Sequence, residues 1–434
     1  MNSATTRRLR RFSLVVLIGL FTIFGAGLVL RSMPRVLPMP IGRFAVGRSG
    51  FSLDVDTAFP RTQNAHLSAN DKRSLLVTLW YPTVAGAPGL PAPYVPDFEP
   101  PGITGAGGVF AMLSQDLRIV RTQSIEDAPI APDLPAYPAV VFVPGPGGAA
   151  FRYSALAEQM ASNGWIVAGI TVPHEAQFAG SSDAAALSAA VRTVLVSLNE
   201  LNTGDTGQFA ARIDLSHVAL IGDRAGGTGA IEAARSMDRA WRIRGEGSSA
   251  DGGWSPPFAT VIPVVIFGDS AWNSSLALRN PMLLISGAPG TGAIVGQSPG
   301  RSAVEPVGIG IRGATDADFT DWPFLFNPLN RVTGRYGTIR AERFHLIVSE
   351  LVETFVEGAW SAIPSVEPGT LTSVGFSLVA RNAGVAAAVA IREKASSYPE
   401  TANSYPSSLD SYPNSLDSYP NSLDSYPNRA PTDK

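Results

Sequence analysis

From about Phe44 onward, short apolar runs alternate with longer stretches whose apolar residues recur every three or four positions. SLLVTLWYPT (74–83) is apolar, β-branched and aromatic, and Pro82 stops it, so it reads as a strand. AVVFVPG (139–145), WIVAGITVP (165–173), HVALIG (217–222), FATVIPVVIFGD (258–269), PMLLISG (281–287) and VGIGIRG (307–313) read the same way. Between them, YSALAEQMASNG (153–164), AAALSAAVRTVLVSLNELN (184–202), GTGAIEAARSM (227–237) and AERFHLIVSELVETFVEGAW (341–360) have helical spacing. Strands alternating with helices imply an α/β domain with a mainly parallel sheet covered on both faces. Its functional residues are expected at the C-terminal ends of the strands. Residues 84–135 are rich in Pro and Gly and read as long surface loops, with a short helix in VFAMLSQDL (109–117).

The two ends of the chain depart from this rhythm. Arg7, Arg8, Arg10 and Arg11 lie in a basic stretch, residues 1–11. An uncharged apolar run, Phe12 to Leu30, follows. Nineteen residues at about 1.5 Å each just span a hydrocarbon layer of about 30 Å. The arginines keep the N-terminus cytoplasmic and place the domain outside the cytoplasm. Two readings stand: an uncleaved single-pass anchor, or a signal cleaved near Gly25-Ala26-Gly27 that releases a secreted protein. Residues 31–43, with three prolines, read as a linker to a domain over 44–363, and 364–396 as an unassigned helical extension. From Ser397 a seven-residue unit of the type SYPNSLD repeats. Its proline and scarce aliphatic residues allow no helical seam, so 397–434 reads as a disordered tail.

Composition narrows the function. The net charge of −3 gives no basic surface for nucleic acid. There are no cysteines, which excludes disulfides, thiolate nucleophiles and Cys-ligated zinc. SGAPGTGA (286–293) lacks the Lys-Ser/Thr of a phosphate-binding loop, and His174-Glu175 is too sparse for a metal, so neither cofactor nor metal is implied.

The stretches VTLWYPT (77–83), YPAVVFVPGPGG (137–148), YSALAEQMASNGWIVAGITVPHEA (153–176), RIDLSHVALIGDRAGGTGA (212–230), IFGDSAW (266–272) and IRGATDADFTDWP (311–323) run in the order of a known family. The chain resembles the platelet-activating-factor acetylhydrolase branch of the α/β hydrolases over about residues 44–360. The resemblance implies an α/β-hydrolase fold and a serine esterase site. It also implies where that site would stand. The family's elbow, Gly-His-Ser-x-Gly-Gly, falls on Gly222-Asp223-Arg224-Ala225-Gly226-Gly227, so Arg224 occupies the nucleophile position. The histidine position falls on Asp316, within Asp316-Ala317-Asp318-Phe319-Thr320-Asp321, and the acid position on Asp269. The oxyanion donors fall on Ala225 and on the loop Gly145-Pro146, where Pro146 has no N–H.

A guanidinium is protonated at physiological pH and has no lone pair with which to attack. The expectation is a pseudohydrolase with a binding or scaffolding role, in which Arg224 forms an ion pair with Asp316 and Asp269. An anionic small molecule at Arg224, or a protein partner, would be its ligand. The alternative is a working carboxylic-ester or lipid hydrolase that uses Ser270, His174 or a water activated by Asp316.

Overall fold

A computed structural model of the chain describes residues 17–19, 21–22, 25, 34–54, 74–96, 117–145, 148–171, 184–245, 261–268, 280–288, 296–297, 306–325, 336–362 and 373–397. Among the described residues twelve strands make one sheet. They are β1 (Arg35–Val36), β2 (Ala45–Asp54), β3 (Ser74–Thr83), β4 (Pro91–Pro93), β5 (Val120–Glu126), β6 (Tyr137–Val143), β7 (Ile166–Thr171), β8 (Ile213–Asp223), β9 (Val264–Phe267), β10 (Met282–Ala288), β11 (Gly296–Gln297) and β12 (Val307–Arg312). The order is β1-β5-β2-β3-β7-β6-β8-β9-β10-β12-β11, with β4 paired on β5. From β7 to β12 the ladder is parallel; β3 runs antiparallel to both its neighbours. The helices are α1 (Ser154–Ser162), α2 (Ala184–Thr203), α3 (Ala225–Gly245), α4 (Trp322–Leu325), α5 (Ala341–Ser361) and α6 (Ser373–Ser397).

The central strands are apolar on both faces because each face is covered. Every residue of β7 and β9 is buried. On one face Val141, Ile170 and Leu220 pack with Val191 and Leu195 of α2 and Ile231 of α3. On the other, Val140, Val167 and Ile221 share a core with Met160 of α1 and Phe344, Val352 and Phe355 of α5. Each fully buried aliphatic or aromatic side chain contributes about 1.5–3 kcal/mol relative to exposure. Among the described residues α2 is the one helix long and apolar enough to cross a membrane, yet Val191, Val194, Leu195 and Leu198 are buried in this core.

Five strands, β1, β2, β4, β5 and β11, fall where the periodicity shows none. β5 lies inside the stretch read as surface loop, and its buried face is polar: Thr122 Oγ1 donates to Ala92 O, and Ser124 Oγ donates to Glu158 Oε1. β4 pairs against it. β2 carries Gly47 because the Tyr81 ring occupies the space of a side chain. The helix read at 109–117 lies outside the described residues, apart from Leu117, which begins a 3-10 turn.

The segment read as a linker is docked. β1 pairs with β5, Leu37 is buried, the Ile41 N–H donates to Gln159 Oε1 and the Gly42 N–H to Ser162 Oγ. Prolines mark this segment as extended, and extended chain here completes the sheet. The extension at 364–396 contains α6, which lies antiparallel on α5: a Cβ on Gly358 would touch Ala387 and Ala390, and Lys394 pairs with Glu350 at 2.8 Å. The apolar segment 12–30 lies largely outside the described residues. Those described are helical, with Leu17, Ile18 and Phe21 exposed. The repeats beyond Ser397 lie outside them.

A Cβ on Gly42 would overlap the Ser162 carbonyl at the end of α1. Gly42→Ala is expected to lower the unfolding free energy by about 1–3 kcal/mol through overpacking, read by urea denaturation. An unchanged midpoint would mean that the N-terminal segment does not bear on the domain.

Candidate functional site

The C-terminal ends of β6, β8 and β9 converge, with Val143 opposite Gly222 and Asp223 opposite Phe267. The chain leaves β8 through Arg224 and enters α3 at Ala225. Arg224 has φ +48°, a left-handed conformation that costs a non-glycine residue about 1–2 kcal/mol. Its N–H donates to Phe267 O at 2.8 Å, and its carbonyl accepts from the Gly227 N–H at 2.9 Å. A Cβ on Gly226 would overlap the Val143 carbonyl, and one on Gly222 would overlap Gly226 and Gly227. The join is therefore a strained strand-to-helix elbow that glycines alone permit, with one side chain displayed at its apex.

That side chain turns toward its predecessor. Arg224 Nη2 stands 3.1 Å from Asp223 Oδ2, with Arg224 42% and Asp223 1% exposed in their side chains. The Tyr153 hydroxyl donates to the same oxygen at 2.7 Å. Burial raises the Asp223 carboxyl above its usual range, opposed first by the Arg224 charge and then by the Tyr153 hydrogen bond; Asp316 raises it further. Burial, then the Asp223 charge, pushes the Tyr153 phenol well above its usual value, so it stays a neutral donor. Gly145 closes this corner, since a Cβ there would sit 3.0 Å from Asp223 Oδ2 and 3.3 Å from Arg224 Nη2.

Asp316 opens a 3-10 turn, Asp316–Phe319, beyond β12. It lies across Gly268 from the arginine: a Cβ on Gly268, which has φ +82°, would meet Arg224 Cγ at 3.1 Å and Asp316 Oδ2 at 3.2 Å. The expected ion pair between Arg224 and Asp316 is corrected. The guanidinium pairs with Asp223, while Asp316 Oδ1 accepts from the Gly287 N–H at 3.3 Å. A buried carboxylate one residue away outcompetes a more exposed one across the turn, because its own desolvation makes a partner worth more. Ala225 begins α3 beside the apex, and Gly145 lies just beyond β6. Asp269, Ser270, Pro146 and His174 lie outside the described residues.

The rest of the Asp316–Asp321 motif is structural. Asp318 Oδ2 accepts from the Thr315 and Gly337 N–H groups. Asp321 is buried and accepts from Tyr94 Oη at 3.1 Å and from the N–H groups of Ser154 and Ala155, capping α1. His345 is buried against the carbonyls of Asp318 and Thr320, and burial lowers it to about 4, so it is neutral. His217 is bonded to Asp214 at 2.7 Å at the start of β8. Among the described residues no group of His, Cys, Asp and Glu could hold a metal. Sequence reading missed Tyr153 and the role of Asp223. Asp223 stood in the elbow as a charge next to Arg224, but the burial that makes it the partner did not show in the sequence.

Strand order and elbow make this an α/β-hydrolase fold. The solved structure of a ferulic acid esterase from Streptomyces cinnamoneus shares that fold, with a TM-score of 0.51 and 21% identity over 80% of this chain and 98% of the esterase. Residues 32–189 match the family model of platelet-activating factor acetylhydrolase, isoform II. The matched stretch runs from the segment around β1 into α2 and ends before the elbow. No curated protein sequence matches the chain significantly.

Removing the guanidinium leaves Asp223 buried with Tyr153 as its side-chain partner. Its carboxyl pKa, already raised, then rises further. A raised carboxyl contributes stability that is complete below the unfolded value and lost as pH rises through the folded one. Arg224→Ala is therefore expected to destabilise the protein more at pH 8 than at pH 5 in urea denaturation. Equal losses at both pH values would show that the pair does not hold Asp223 ionised.

Proposed function

We propose that this chain is a membrane-anchored pseudohydrolase: an α/β-hydrolase scaffold that binds a ligand or partner outside the cytoplasm without cleaving esters. The observation that carries the reading is Arg224 at the apex of the elbow, paired with buried Asp223. An acyl-transfer site needs at that point an oxygen or sulfur that can lose a proton and attack. A guanidinium supplies neither. Asp316, in the histidine position, lacks the second nitrogen by which an imidazole relays a proton between nucleophile and acid. Pro146, in the early oxyanion loop, has no N–H to offer, and loss of one such donor alone costs about 10²–10³ in rate.

What remains suits binding. The guanidinium is partly exposed, with donors beyond the one that Asp223 takes, and the Ala225 N–H stands next to it at the start of a long helix. Carboxylates and phosphates are the groups that such donors recognise. The exposed apolar side chains Leu17, Ile18 and Phe21 support the anchor, since nothing among the described residues covers them.

The test is hydrolysis of p-nitrophenyl acetate and longer acyl esters by the full-length protein in detergent. No turnover above buffer is expected, and Arg224→Ser alone is expected to restore none, because Asp316 cannot act as the imidazole. Turnover that Asp316→Asn or Ser270→Ala abolishes would overturn the proposal in favour of an ester hydrolase with relocated residues.

A further inference from the structure

Two opposite charges stand at the elbow without pairing with each other. A Cβ on Gly268, just beyond β9, would lie 3.1 Å from Arg224 Cγ and 3.2 Å from Asp316 Oδ2, so both side chains flank one small space. Gly268 is itself pinned, since its N–H donates to Ile285 O at 2.9 Å. Asp316 is half-buried and held from β10, where its Oδ1 accepts from the Gly287 N–H at 3.3 Å. Its Oδ2, the oxygen beside Gly268, accepts no hydrogen bond among the described residues. Across the space Arg224 gives Nη2 to Asp223 at 3.1 Å, its one ion pair among the described residues, and keeps its side chain 42% exposed. Arg152, the other guanidinium that Tyr153 feels, lies over the Trp322 ring at 5.6 Å.

We propose that this site binds a small zwitterion of the amino-acid type, with its carboxylate on Arg224 and its primary ammonium on Asp316. The assignment rests on the reading of the chain as a binding scaffold and names the ligand of that scaffold. Charge decides the class. Asp223 and Arg224 offset each other, and Asp316 adds one further negative charge. Burial, and beyond it the charge of Asp316, raises the Asp223 carboxyl, so the two acids feel each other across the corner. A simple anion drawn to the guanidinium therefore enters against a carboxylate that nothing offsets, and a phosphate dianion does so more strongly. A simple cation drawn to Asp316 meets the guanidinium. A molecule that carries both charges a few bonds apart meets neither obstacle. Hydrogen bonding narrows the class further. Asp316 Oδ2 is an acceptor that calls for an N–H donor, which a primary ammonium has and a quaternary one lacks. The guanidinium keeps donors beyond the one that Asp223 occupies, in a planar fork that fits a carboxylate.

The test is isothermal titration calorimetry of the full-length protein in detergent with glycine, alanine, leucine, glycine betaine, acetate and methylammonium. At least one of the three amino acids is expected to bind about tenfold or more tighter than acetate and methylammonium, the effect of one further charge-assisted hydrogen bond. Glycine betaine has the same carboxylate and no N–H, and is expected to lose that advantage. Asp316→Asn, whose amide oxygen can still accept from the Gly287 N–H, is expected to bind the amino acid no better than acetate, and Arg224→Gln to bind neither. Amino acids that bind no tighter than acetate, with binding lost in Arg224→Gln alone, would overturn the zwitterion and leave an anion-binding scaffold standing. Methylammonium as tight as the best amino acid would replace it with a plain cation, and glycine betaine as tight as glycine would remove Asp316 from the site. No heat from any of the six, in protein that keeps a cooperative urea transition, would overturn the assignment outright. The ester assay decides separately whether the chain hydrolyses.

Discussion

The elbow is a backbone constraint before it is anything chemical. β8 must end beside β9 and turn at once into α3, and the close approach of Gly226 to the Val143 carbonyl leaves one route. That route puts a single residue in the left-handed region whatever its side chain. The layered core on both faces of the sheet supplies the energy that holds it there. A site of this sort can lose its chemistry while its geometry persists, because the geometry belongs to packing. The pair between Arg224 and Asp223 then settles what the displayed residue does: it compensates a buried charge that the turn itself creates.

A second buried polar system holds the surroundings of the elbow in place. Asp321 caps α1 and accepts from Tyr94, while Glu158, midway along α1, accepts from the N–H groups of Gln123 and Ser124. Burial raises Asp321 well above the usual carboxyl range and Glu158 to about 7. The same helix presents Tyr153, immediately before its start, to Asp223. The N-terminal strands, the loop after β12 and the elbow thus meet on one short helix.

The parallel part of the sheet was legible because its strands are apolar on both faces and its helices carry a clear stripe; α5 and β3 match their sequence-based limits to a residue. β5 was not legible, because Thr122 and Ser124 satisfy hydrogen bonds on its buried face and so break the alternation on which periodicity depends. β1 was hidden by prolines that mark linkers and edge strands alike. At the site, the glycines and the arginine stood plainly in the chain. The partner of Arg224 did not, because choosing between Asp223 and Asp316 needs the burial of each, and burial is a property of the assembled sheet.

The docking of residues 35–42 has a mechanical consequence. A pull on the chain at Pro34 meets β1 lying alongside β5, so the load falls along the strands, in shear, and passes from there to α1 through Ile41 and Gly42. Several hydrogen bonds must then yield together, whereas a tether joined end-on to a loop would peel them one at a time. Tension on the N-terminal side is delivered to the scaffold as a whole.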